Sequence, residues 1–175
     1  VVAYARVFNG TIKKGDKIAL CGRNSANWAI SFFSIITYGA VAVPILHEFK
    51  PEAVHHLVNH SEAKLLFVGD VVWESLDEKK MEGLNGIILL TDFSLVSSNC
   101  APCKRAFQRI EERFQKKYPK GFRRENVNYG RENINDLAII NYTSGTTSLS
   151  KGVMIPYKAI NSNLLFATEE LPEMT

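Results

Sequence analysis

Short runs of consecutive apolar residues alternate along the chain with longer segments in which apolar residues recur every three or four positions. The first pattern is typical of strands buried on both faces, and the second of amphipathic helices. The runs that predict strands are residues 17–21, 40–45, 64–68, 86–90 and 137–142. We therefore predict an α/β fold, with a mostly parallel doubly wound sheet and helices on both faces.

Capping residues indicate where the helices between these strands begin and end. Ser25 can accept a backbone hydrogen bond at the start of one helix, and Gly39 can end it in the left-handed conformation. Pro51 suits the first turn of a second helix that runs towards His60. Further helices are predicted over residues 71–84 and 103–118, and a loop over residues 94–102.

The composition is that of an ordinary globular protein, with 175 residues, 46% hydrophobic and 22% charged residues and a formal net charge of +3. No apolar run reaches the roughly 18 residues that span a bilayer, and the first residues lack a signal-peptide pattern. Cys21, Cys100 and Cys103 are too few for a disulfide framework. Disordered, disulfide-rich and membrane-spanning classes are therefore disfavoured, and a cytoplasmic location is expected.

A segment rich in hydroxyl side chains follows the last predicted strand: residues 142–153 are Tyr-Thr-Ser-Gly-Thr-Thr-Ser-Leu-Ser-Lys-Gly-Val. Backbone and hydroxyl donors can surround phosphate oxygens, glycine allows their close approach, and lysine offsets their charge. A polar solvent loop between two strands is the plain alternative. A P-loop is disfavoured, because Ser150 replaces its second glycine and Gly152 its Ser or Thr.

The segment resembles the phosphate-binding signature of the adenylate-forming (AMP-binding) superfamily, Y-T-S-G-T-T-G-x-P-K-G-V. Residues 142–147 and 151–153 match this signature, whereas Ser148 replaces a glycine and Ser150 a proline. Residues 15–20, 38–45 and 61–70 also resemble the N-terminal subdomain of that superfamily. Among its subfamilies the chain is most similar to the long-chain fatty acyl-CoA synthetases.

The resemblance implies an enzyme that uses ATP and magnesium to adenylate a fatty acid carboxylate, and then transfers the acyl group to coenzyme A. It implies that the ATP phosphates are bound by Thr143, Ser144, Gly145, Thr146, Thr147 and Lys151. The family's catalytic lysine and acidic residues are expected outside this chain, and no metal ligand is assigned within it. We expect residues 1–175 to be an incomplete N-terminal domain, part of the large N-terminal domain of an adenylate-forming enzyme and inactive alone. The remainder of that domain and the C-terminal domain would be absent.

Two alternatives stay open at this point. The substitutions at Ser148 and Ser150 suit a non-catalytic nucleotide-binding or scaffold module that no longer supports turnover. Within the enzyme class, a carrier protein could replace coenzyme A as the acyl acceptor, because regions outside this chain are expected to select the acceptor.

Residues 103–124 are strongly basic, with nine Lys and Arg against Glu111 and Glu112. Such a segment can contact an anionic membrane surface. Phe107, Ile110 and Phe114 form an apolar stripe, so a core-packed helix with a solvated basic face is the favoured interpretation. The expected partners are fatty acid and coenzyme A as substrates, with a peripheral membrane contact as an alternative role of residues 103–124. Nucleic acid is not expected.

Two pairs of residues have spacings that also occur in metal or redox sites. His56 and His60 are one helical turn apart, but no further ligand stands at a recognisable spacing, so an exposed helix face is favoured over a metal site. Cys100 and Cys103 have redox-motif spacing, but the strand that usually precedes such a motif is missing.

Overall fold

The computed structural model describes residues 12–126, 133–143 and 151–170. Its strands are β1 Lys17–Cys21, β2 Val41–Ile45, β3 Leu65–Val68, β4 Gly86–Leu89, β5 Leu95–Ser97, β6 Leu137–Thr143 and β7 Lys151–Pro156. Within those ranges they form one seven-stranded sheet in the order β5-β4-β3-β1-β2-β6-β7. Neighbouring strands are parallel except at the two ends, where β4–β5 and β6–β7 are antiparallel. The predicted mostly parallel sheet is confirmed.

The helices are α1 Ala26–Tyr38, α2 Pro51–His60, α3 Asp70–Trp73, α4 Ala101–Gln108, α5 Ile110–Lys117 and α6 Tyr157–Glu170. As predicted, Ser25 caps α1, because its Oγ accepts a 3.1 Å hydrogen bond from the backbone N–H of Trp28. Gly39 ends the same helix with φ at 85°, a left-handed conformation that glycine adopts without steric cost.

Helices cover both faces of the sheet, and each face has its own hydrophobic core. Leu57 of α2 belongs to one core together with Ala19 of β1. Ile35 of α1 belongs to the other core together with Ile18 of β1. Neighbouring residues of one strand therefore point into opposite cores, as the alternation of side chains along a strand requires. The doubly wound arrangement is confirmed.

The prediction of one helix over residues 71–84 is wrong. Most of this range is turn, with α3 at its start and a single 3₁₀ turn at Glu78–Lys80. The backbone N–H of Asp77 donates to Nε2 of His55 at 3.0 Å, a tertiary bond that takes the place of a helical one. Met81 and Leu84 are still buried in the core, so apolar residues of this range reach it from successive turns instead.

Two further boundaries differ from the prediction. The loop predicted over residues 94–102 contains β5, whose backbone pairs with the otherwise unpaired edge of β4. That pairing depends on a neighbouring strand and has no signal in the local sequence. The helix predicted over residues 103–118 is two helices, α4 and α5, separated at Arg109, whose φ of −107° and ψ of 20° are not helical.

Candidate functional site

The predicted phosphate-binding segment begins at the edge of the sheet where the parallel strands end. Strands β1, β2, β3, β4 and β6 run in the same direction, so their carboxyl ends share one edge. The chain leaves that edge after β6 and returns as β7. Ligands of open α/β sheets bind outside the carboxyl ends of the strands, and the segment therefore starts where the fold favours a ligand.

Strands β6 and β7 form an antiparallel hairpin that pairs two of the predicted phosphate-binding residues. Thr143, the last residue of β6, lies opposite Lys151, the first residue of β7, and both residues are exposed. Residues directly opposite each other project from the same face, with Cβ atoms about 4.5–5.5 Å apart. One hydroxyl and one ammonium group can thus reach the same ligand. The other predicted residues, Ser144, Gly145, Thr146 and Thr147, lie outside the described residues.

Tyr142, which precedes Thr143 at the loop end of the hairpin, is buried in the protein core. Only 6% of Tyr142 is exposed, and its hydroxyl oxygen lies 2.7 Å from Nδ1 of His60. Burial raises the pKa of Tyr142, so the hydroxyl keeps its proton at neutral pH. Tyr142 is paired with Gly152 of β7, where an added Cβ would lie 3.2 Å from Cε1 of the tyrosine ring. A larger residue at position 152 would therefore be tight against the ring.

A cavity of about 700 Å³ lies at the carboxyl ends of the first four strands. The polar residues that line it are Arg23, Ser25, Asn27, His47, Glu48, Asp70, Ser75 and Thr91. No sequence pattern indicates this cavity, because its lining comes from separate turns that only the folded sheet brings together. Two carboxylates, of Glu48 and Asp70, accompany the guanidinium of Arg23, so this lining is less suited to a polyphosphate than the hairpin is.

The histidine and cysteine pairs make structural contacts. The rings of His56 and His60 are 5.7 Å apart, and His60 is bonded to Tyr142. Sγ of Cys100 accepts a 3.2 Å hydrogen bond from the backbone N–H of Cys103 at the start of α4. Across residues 12–126, 133–143 and 151–170, no group of three or more His, Cys, Asp or Glu side chains is placed to hold a metal ion.

The basic residues of the 103–124 segment are all exposed, whereas Phe107 packs against the core that contains Ile35 of α1. Arg109 forms two hydrogen bonds to the carboxylate of Glu112, at 2.8 and 2.7 Å. Exposed cations fit both the solvated face and the membrane contact, which stays a prediction. No helix in the described part of the chain is long and apolar enough to cross a membrane.

The model of the family described as AMP-binding enzyme matches residues 1–174 of the chain. The chain is 31% identical over 139 residues to 4-hydroxybutyrate–CoA ligase 2 of Metallosphaera sedula, covering 79% of this chain and 24% of that protein. It is 26% identical over 160 residues to long-chain-fatty-acid–CoA ligase 5 of Rattus norvegicus, covering 84% of this chain and 22% of that protein. The chain thus spans about a quarter of the length of these relatives.

Solved structures share the fold. A red-emitting luciferase from Phrixothrix hirtus has a TM-score of 0.75 at 16% identity, covering 96% of this chain and 39% of that one. A long-chain-fatty-acid–CoA ligase from Archaeoglobus fulgidus has a TM-score of 0.67 at 22% identity, covering 94% of this chain and 30% of that one. At these identities the likeness shows a common fold, and the function must be argued from the residues.

Proposed function

The chain belongs to the AMP-binding enzyme family, and from that premise we propose that it is part of an ATP-dependent acid–thiol ligase. The complete protein would adenylate a fatty acid carboxylate and transfer the acyl group to coenzyme A. We propose that this chain is an incomplete N-terminal domain, inactive alone, which contributes the binding site for the ATP phosphates. The names of its relatives support the ligase class, since several of them are CoA ligases.

The pairing of Thr143 with Lys151 at the loop end of the hairpin is the observation that carries this proposal. The two residues flank the hydroxyl-rich residues 144–150, and both are exposed. A bound triphosphate would meet a hydroxyl donor on one strand and an ammonium group on the other. Charged hydrogen bonds of this kind are the stronger ones in proteins, so they suit a ligand with several negative oxygens.

In the first step, a carboxylate oxygen attacks the α-phosphorus of ATP and pyrophosphate leaves. In the second step, a thiol attacks the carbonyl carbon and AMP leaves. Lys151 would hold the β- and γ-phosphates and offset the charge that collects on pyrophosphate, and Thr143 would orient them by a hydroxyl hydrogen bond. Magnesium bound with ATP would neutralise part of the phosphate charge, and no described residue is assigned to it.

A long-chain fatty acid is the substrate that we propose, on two grounds. The motifs of the sequence resemble those of the long-chain subfamily, and long-chain-fatty-acid–CoA ligases of Rattus norvegicus and Homo sapiens are among the relatives. Other relatives are named for 4-hydroxybutyrate, crotonobetaine or carnitine, and 4-coumarate. The experiment must therefore compare substrate classes.

Carboxylate-dependent ATP–pyrophosphate exchange by the complete natural polypeptide tests the proposal. The panel would run from acetate to palmitate, with aryl and amino acids added. Exchange that is strongest with long-chain acids, followed by acyl-CoA formation, is the expected result. Exchange with another class would keep adenylation and reject the fatty acid, and a requirement for a carrier protein would reject coenzyme A. A folded protein with magnesium but no exchange would favour the non-catalytic nucleotide-binding module.

A further inference from the structure

His60 is the last residue of α2, and its ring reaches the end of β6. Nδ1 of His60 lies 2.7 Å from the hydroxyl oxygen of Tyr142, which is 82 residues away in the sequence. The two rings meet edge to face, with centroids 5.7 Å apart and planes at 76°. The contact is therefore a directed tertiary hydrogen bond between a helix on one face of the sheet and the strand that enters the phosphate-binding hairpin.

The hydroxyl of Tyr142 depends on this partner because Tyr142 is 6% exposed. A buried hydroxyl without a hydrogen bond is destabilising. Burial also raises the pKa of Tyr142, so the hydroxyl retains its proton near neutral pH. It can then donate to Nδ1 of His60 when the imidazole carries its hydrogen on Nε2.

The ring of Tyr142 lies close to β7 as well. Gly152 is directly opposite Tyr142, and the next pair along the hairpin is Thr143 with Lys151. A Cβ at Gly152 would be 3.2 Å from Cε1 of the ring, so little space separates the ring from the backbone of β7. Tyr142 thus contacts α2 through its hydroxyl and β7 through its ring, immediately before the two phosphate-binding residues.

We propose that His60 is a positioning residue for ATP phosphate binding: it fixes Tyr142, and Tyr142 fixes the relative placement of Thr143 and Lys151. This inference rests on the proposed function of the hairpin. Loss of the hydrogen bond would leave the apolar contacts of α2 in place. Tyr142 would then no longer be held in a fixed position beside Thr143 and Lys151. Phosphate binding would weaken because Thr143 and Lys151 must reach one ligand together.

Three variants separate this role from general stability. His60→Phe keeps an aromatic ring in contact with Tyr142 but removes the acceptor nitrogen. His60→Gln supplies an amide oxygen that can accept the same hydrogen bond. His56→Phe is the matched control, because His56 lies one turn earlier on α2, is exposed and contacts the ring of His60. His60 is exposed too, so folding of all three variants is expected.

In the complete enzyme, ATP–pyrophosphate exchange measures the effect on phosphate binding. His60→Phe is expected to raise KM for ATP roughly three- to tenfold, the range for one lost hydrogen bond, with KM for the carboxylate unchanged. His60→Gln should restore most of the wild-type value, and His56→Phe should match wild type. A wild-type KM in His60→Phe, an equal rise in both KM values, or an equal loss in His60→Gln would overturn the proposal.

Hydrogen exchange of the complete protein gives a second readout that needs no activity. His60→Phe is expected to speed amide exchange in β6 and β7 and to leave β1 and β3 unchanged. If this happens in a protein that shows no ATP–pyrophosphate exchange, the function proposed for the hairpin fails while the positioning of β6 and β7 by His60 stands. Unchanged exchange in β6 and β7 overturns the proposal whatever the activity.

Discussion

Gly152 of β7 lies directly opposite Tyr142 of β6, and a methyl group on its Cα would stand 3.2 Å from Cε1 of the tyrosine ring. The ring has little freedom to move away, because Tyr142 is buried and its hydroxyl is bonded to His60. Glycine at position 152, next to the lysine proposed to bind phosphate, therefore avoids a tight contact with the ring. It leaves the ring room to lie beside β7.

Gly152→Ala should consequently destabilise the protein. The added methyl group would also lie 3.1 Å from Cγ2 of Ile140, and overpacking of this kind costs about 1–3 kcal/mol. Urea unfolding would measure the loss. Gly83→Ala is the control, because a Cβ at Gly83 has nothing within 4 Å, and its stability should equal or slightly exceed that of wild type. Similar losses in the two variants would contradict the packing argument.

Lys151→Ala should weaken ATP binding in the complete enzyme. Removal of a charged hydrogen-bond donor costs about 1.5–3 kcal/mol, which corresponds to a rise of roughly ten- to hundredfold in KM for ATP. Kinetics of ATP–pyrophosphate exchange would measure it, with Lys158→Ala as control, since Lys158 is an exposed lysine on α6. Unchanged kinetics in Lys151→Ala would show that Lys151 does not bind the phosphates.

His55 should make the stability of the protein depend on pH. Burial lowers the pKa of His55, and the positive charge of Lys80 adds to this. Below the ordinary pKa of about 6.5, the unfolded chain therefore binds more protons than the native state, and the free energy of unfolding falls as the pH decreases. Protonation of Nε2 would also remove the acceptor of the bond from the Asp77 N–H.

Urea unfolding between about pH 7 and pH 5 measures this contribution. His55→Gln should lose less stability over that interval than wild type, because glutamine does not titrate. His56→Gln should keep the wild-type dependence, since His56 is exposed. A pH dependence that is unaltered by His55→Gln would mean that other groups cause it.

Vesicle binding distinguishes the favoured solvated face of the basic segment from the alternative membrane contact. A membrane contact predicts that the complete protein binds vesicles that contain phosphatidylserine at low salt and dissociates as the salt concentration rises. The double variant Lys116→Glu, Lys117→Glu should bind more weakly, whereas Lys79→Glu, Lys80→Glu should bind like wild type, since those two lysines are exposed on a different turn. No binding at low salt would remove the membrane contact and leave a solvated basic face.

The parts of the fold that the sequence predicts are those with local causes. Pro51 fixes the start of α2, and Ser25 and Gly39 the two ends of α1, because each residue acts on its own turn. The central strands follow from apolar runs that are long enough to be buried on both faces. The hydroxyl-rich segment is likewise recognisable as a candidate phosphate site from its own consecutive residues.

The parts that the sequence does not predict depend on contacts between distant residues. The turn at Asp77 is held by His55 on another element, and β5 exists because β4 offers an unpaired edge. The bond between His60 and Tyr142 spans 82 positions, so no local pattern could indicate it. The spacing of His56 and His60 is compatible with half of a metal site. In the structure, the partner of His60 is instead Tyr142, which is distant in the sequence.

Isotope transfer from the carboxylate tests the central claim, adenylation, most directly. The complete protein would be given a long-chain fatty acid with both carboxylate oxygens as ¹⁸O, together with ATP, magnesium and coenzyme A, and the products would be analysed by mass spectrometry. Attack of the carboxylate on the α-phosphorus predicts one ¹⁸O in AMP and one in the thioester carbonyl. Unlabelled AMP, or ¹⁸O in inorganic phosphate with ADP as product, would contradict adenylation.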